Sequence, residues 1–66
     1  MCLSTVYMRS GGGEQEIMRD VARIEAEGNG FWLVTLFGAK KFIEGTVQSI
    51  DLYDDHFVMF APPSES

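Results

Sequence analysis

The residues with the clearest chemical potential are Met1-Cys2-Leu3, where the chain's single cysteine stands beside Met1. A thiol next to an α-amino group forms a small chelate. Amine nitrogen, thiolate sulfur and the backbone amide nitrogens between them can wrap one metal ion. Planar nitrogen and sulfur donors suit Ni(II) or Cu(II), whereas tetrahedral sulfur-rich sets suit zinc. In this reading Met1 supplies the amine, Cys2 the thiolate, and the amides of Cys2 and Leu3 further nitrogens. The competing reading makes Cys2 a small buried hydrophobe, selected for packing. Position 2 counts against that, because terminal residues are poorly ordered unless tied down. Residue chemistry by itself leaves both readings open.

Other candidates carry less. His56 is the only histidine; it falls at a turn-to-strand junction with no HxxxH or CxxC spacing near it. A solvated imidazole is the expectation, with a ligand role only if the fold brings Cys2 close. Asp51, Asp54 and Asp55 lack the spacing and closing glutamate of an EF-hand and read as turn acids. Gly11-Gly12-Gly13 has no Lys-Ser/Thr ending and no helix behind it, so it reads as a hairpin connection rather than a phosphate cradle. Catalytic logic is thin: a Cys-His pair would have to be assembled from Cys2 and His56, and no cationic setting to activate the thiol is visible. No catalytic residues are expected, and the chain does not read as an enzyme.

The elements that would position the terminus must come from a small domain. Sixty-six residues with one cysteine make one domain without an intrachain disulfide. A chain of this size buries only about 60% of the surface it exposes unfolded. A metal, an oligomer or both are the remaining aids to stability. The formal charge of −5 disfavours phosphate backbones and anionic membranes, which reward Lys and Arg. Lys40-Lys41 is too short for a nucleic-acid patch, and the aromatic residues are not interleaved with cations as a stacking platform requires. No apolar run nears the ~20 residues of a membrane span, and no signal peptide is visible. A lone reduced thiol fits a reducing compartment, so the expected location is cytoplasmic.

Strand signals fill the chain. Cys2 to Arg9 carries strand formers with no helical period, and a short strand over Glu14 to Ile17 follows the glycines. In Asp20 to Glu27, Ala22, Ile24 and Ala26 alternate with Arg23, Glu25 and Glu27, a strand period despite helix-favouring residues. Gly28-Asn29-Gly30 then turns the chain into Phe31 to Phe37. That strand is apolar on both faces, with Trp32, Val34 and Leu36 on one and Phe31, Leu33 and Phe37 on the other. One core covers one face, so the other points to a subunit interface. The alternative is a central barrel strand whose two faces meet the same core. Lys40 to Ile43 gives a further strand, and Thr46 to Leu52 with His56 to Ala61 a last hairpin around Tyr53-Asp54-Asp55. The expectation is an all-β fold, a small barrel or roll of six or seven short antiparallel strands over residues 1–61. A tail over residues 62–66 begins at Pro62-Pro63.

Met1-Cys2-Leu3, Thr35-Leu36-Phe37-Gly38, Glu44-Gly45 and Ile50-Asp51-Leu52, in this order and spacing, carry a resemblance to a known family. The chain resembles the CooT family, small nickel-binding accessory proteins associated with carbon monoxide dehydrogenase maturation. The likeness runs to about Ala61 and implies a small β-barrel homodimer that binds Ni(II) at Met1 and Cys2. Its implied partner is a nickel metalloenzyme or its maturation machinery. Some members of that family are labelled RNA-binding, which the acidity here opposes. The HypC-type hydrogenase maturation chaperones also begin Met-Cys-Leu. They continue with an Ala-Ile-Pro-Gly-like stretch, where this chain has Ser4-Thr5-Val6-Tyr7. A protein-interaction chaperone of that type is the runner-up, followed by a small RNA-binding barrel.

Overall fold

A computed structural model of the protein describes residues 3–63. All of its regular structure is β: β1 (Ser4–Ser10), β2 (Gly13–Glu27), β3 (Gly30–Thr35), β4 (Lys40–Glu44), β5 (Thr46–Asp51) and β6 (Phe57–Ala61). They form one six-stranded sheet in the order β4-β3-β2-β1-β6-β5. The sheet rolls over on itself but does not close, so β4 and β5 remain its two edges.

The roll is made by β2. Its first half pairs antiparallel with β1 and its second half with β3, and Val21 faces both Ser4 and Thr35. The expected strands over Glu14–Ile17 and Asp20–Glu27 are thus one continuous strand of 15 residues. Asp20 marks the corner with a φ of 57°, a left-handed conformation that aspartate tolerates better than most side chains. Its carbonyl accepts the Leu36 amide at 2.9 Å, which fastens the corner to the end of β3. Just beyond lies a bulge between Val21 and Arg23 in the pairing with β3. A bulge adds one residue and shifts the inward set by one. Ala22 is therefore exposed and Val21 takes the core position, while Ile24 keeps its inward place against the core.

The bend lays β3 and β4 over β1 and β6. Val6, Val58 and Phe60 from one half meet Leu33 and Ile43 from the other, with Val21 at the fold. Phe31 and Phe60 close the interior, ring centroids 5.0 Å apart. The expected β5–β6 hairpin is present, and β6 then runs parallel to β1. This is the one departure from antiparallel pairing. It follows from the crossover that carries the chain through β2 to β5 before it returns beside its own beginning.

The strand expected over Phe31 to Phe37 stops at Thr35. The Thr35 carbonyl accepts the Gly38 amide at 3.0 Å, its amide donates to the Ala39 carbonyl at 2.9 Å, and its hydroxyl accepts the Ala39 amide at 3.0 Å. These bonds close a tight turn. Leu36 and Phe37 consequently leave both strand faces and stand in the turn, Phe37 being 81% exposed. Of the two apolar faces, the one bearing Leu33 and Phe31 meets the core. Trp32 and Val34 lie on the outer face, where the Trp32 ring meets Phe42 of β4 at 5.1 Å.

Candidate metal-binding terminus

Met1 and Cys2 lie outside the described residues, so the structure defines what surrounds their point of entry. Leu3 is half-buried and leads directly into β1. On one side of β1, Ser4 is in register with Val21, next to the Asp20 corner. On the other side the Thr5 amide donates to the His56 carbonyl at 3.1 Å, and Thr5 is in register with Phe57. The β-branched residues Thr5 and Val6 favour this extended backbone. The chain therefore enters the sheet as a paired central strand, held on both sides from its first turn.

The β5–β6 turn that supports this end is organised by Asp51. Its carboxylate accepts the backbone amides of Asp54 at 2.8 Å and Tyr53 at 3.0 Å. Those donors, that of Asp54 first, hold the carboxyl below its ordinary pKa, because hydrogen bonds to the charged form favour it. The turn-acid reading of Asp51 is thereby explained. His56 ends the turn with a φ of 55° and is half-buried rather than fully solvated. Its carbonyl, through Thr5, is the group that anchors β1. Whether its ring meets Cys2 falls outside the described residues.

The same end of the sheet gathers exposed apolar side chains. Leu36 and Phe37 stand in the β3–β4 turn and Leu52 and Tyr53 in the β5–β6 turn, Tyr53 being 95% exposed. Among the described residues no group of three or more His, Cys, Asp or Glu side chains could hold a metal ion. Among the described residues no helix is long and apolar enough to cross a membrane.

The sequence from residue 1 to 59 matches the family described as "CO dehydrogenase accessory protein CooT". This protein belongs to the CooT family. The fold agrees with that of a crystal structure described as "putative CooT from Carboxydothermus hydrogenoformans", with a TM-score of 0.86 and 21% sequence identity. The match covers 96% of this chain and 100% of the other. No curated protein matches the chain. The family's description makes it an accessory protein of CO dehydrogenase.

Residue patterns alone missed how this CooT-family chain seats its terminus. The Asp20 corner and the Thr5–His56 bond both depend on strands distant in sequence. The signal available for the first was Arg19-Asp20, a charged pair between the apolar Ile17-Met18 and Val21. For the second there was none, because a parallel partner separated by some fifty residues leaves no local pattern.

Proposed function

We propose that this protein is a nickel-binding accessory protein, a Ni(II) carrier for metalloenzyme maturation, with the ion held at the N-terminal Met-Cys of a homodimer. The Cys2 thiolate and the Met1 amine are the principal donors, and the amides of Cys2 and Leu3 complete a nitrogen-rich set. A planar set of this kind suits Ni(II). The observation that carries the reading is the placement of Leu3: the chain emerges half-buried at the root of a strand paired on both sides. Two residues beyond a fixed root sweep a small volume, which lowers the entropy lost when their donors close on an ion.

Two further features support it. CooT membership makes the maturation of a CO dehydrogenase the natural context, with that enzyme or its assembly machinery as recipient. The outer face bearing Trp32, Val34 and Phe42, together with the exposed Leu36 and Phe37, offers apolar surface for a second copy. Two termini brought together in a dimer would supply two thiolates to one ion. A lone thiol of this kind belongs in a reducing, cytoplasmic setting.

Calorimetric titration of the untagged protein with Ni(II), compared with Cys2→Ser, tests the reading. Tight binding by the parent and its loss in the variant, with an unchanged fold by circular dichroism, is the expected result. Unchanged affinity would remove the thiolate from the site. Loss of folding would make Cys2 a packing residue instead.

A further inference from the structure

The outer face of β1 and β6 carries a cleft of about 470 Å³ lined by Tyr7, Glu14, Asp55, Phe57 and Met59. Its floor and its rim are chemically different. Tyr7 and Met59 are in register on the parallel pair, and the Tyr7 and Phe57 rings meet edge to face at 6.2 Å. Met59 is only 6% exposed although it lies on the side opposite the core-facing Val58 and Phe60. Two rings and a thioether therefore form a small second apolar cluster. The carboxylates of Glu14 and Asp55 stand at its rim.

Those carboxylates have no cation bonded to them among the described residues. Arg9 is in register with Glu14, yet its Nε donates to Gln48 Oε1 at 2.7 Å. Arg19, the next cation along β2, is bonded to Glu16 at 2.9 Å. Among the described residues neither Glu14 nor Asp55 has an ion-pair partner.

The lining selects its occupant by elimination. An anion would meet two carboxylates on a chain of net charge −5. A purely apolar group would strip water from those carboxylates without replacing it, which is costly. A calcium-like ion takes more oxygen donors than two carboxylates and a phenol offer, and no group of three ligating side chains exists among the described residues. A guanidinium meets every demand at once. Its face stacks on aromatic rings, its edge presents several donors to carboxylates, and it sheds water more readily than an ammonium. The cleft's size suits a side chain with its flanking backbone rather than a folded surface.

We propose that the Tyr7–Phe57–Met59 cleft, rimmed by Glu14 and Asp55, receives an arginine side chain from an exposed segment of a partner protein. The proposal does not rest on metal binding at the terminus. Charge complementarity also gathers a basic segment toward the acidic chain before contact.

The test uses the full-length protein and the capped tripeptide acetyl-Gly-Arg-Gly-amide, followed by NMR. Saturable shifts of the Met59 methyl and the Tyr7 and Phe57 rings are expected. The citrulline peptide, equal in shape but neutral, should produce none. The double variant Glu14→Gln, Asp55→Asn should weaken the arginine peptide at least fivefold while leaving the remaining spectrum in place. Equal shifts with citrulline would overturn the proposal, and that comparison needs no variant. Shifts spread over the acidic surface and indifferent to the double substitution would overturn it too.

Discussion

The backbone amide of Thr5 donates to the carbonyl of His56 at 3.1 Å, joining the fifth residue of the chain to the turn that begins its last strand. It is the first rung beside the parallel β1–β6 pair. The consequence is that the seat of the N-terminus exists only once the whole sheet has formed. The unfolded chain keeps Met1 and Cys2 but not the paired strand that Leu3 leads into.

The amine donor can be isolated by moving a tag. Extending or acetylating Met1 converts its amine to an amide and should weaken Ni(II) binding at least tenfold, whereas the same tag after Ser66 should leave it unchanged. Affinity should also fall at acid pH, since amine and thiol must lose protons with free pKa values of roughly 8 and 8.5. Two differently tagged proteins titrated at one pH make the comparison. Equal affinities would leave Cys2 as ligand without the amine.

Gly45 is where the chain passes from β4 to β5. Its φ is 145°, and a Cβ there would lie 2.2 Å from the Ala61 carbonyl oxygen. Gly45→Ala combines a backbone conformation that costs about 1–3 kcal/mol with overpacking worth a further ~1–3 kcal/mol. Against a stability of roughly 0.05–0.15 kcal/mol per residue, such a loss should lower the urea midpoint markedly. Gly12→Ala, with open space and no positive φ, should change stability by no more than about 0.5 kcal/mol.

Asp51 links stability to pH. Its carboxyl lies below the ordinary value of 3.8 because the Asp54 and Tyr53 amides bind the charged form. A depressed folded-state pKa means the stabilisation is complete above the unfolded value and is lost as pH falls through the folded one. The thermal midpoint of the metal-free protein should therefore drop below pH 4, in part through Asp51 (~ the ordinary aspartate range). Asp51→Ala should lower the midpoint at neutral pH and flatten that acid limb, and Asp51→Asn, which keeps an acceptor, should lie between. Identical acid limbs in all three proteins would remove Asp51 from the effect.

Association should precede metal binding. Trp32 and Phe42 form an outer aromatic pair at 5.1 Å, large enough to drive a contact between copies when joined by Val34 and Leu36. Metal-free protein at micromolar concentration should sediment as a dimer, and Phe42→Lys should shift it toward monomer without loss of the β signal. A monomeric parent would assign that face another role.

The alternation of apolar and polar residues, the glycine turns and the lack of a helical period determined the strands and the all-β class, because these are local signals. They also located the two hairpin turns and the Thr46–Ala61 pairing. Among the strand limits they misplaced, the one set at Phe37 rather than Thr35 depended on bonds between Thr35 and Ala39 that hydropathy does not register. The Asp20 corner lay equally beyond local pattern: Asp20 and the Ala22 bulge turn two apparent strands into one, and move the core position from Ala22 to Val21. At the terminus, residue types alone made Met1-Cys2 a candidate chelate. Only the folded sheet placed Leu3 at the root of a doubly paired strand and His56 beside Thr5. Those neighbours come from opposite ends of the chain, and their proximity is set by burying Val6, Val58 and Phe60 against Leu33 and Ile43, a choice made by packing across the whole molecule.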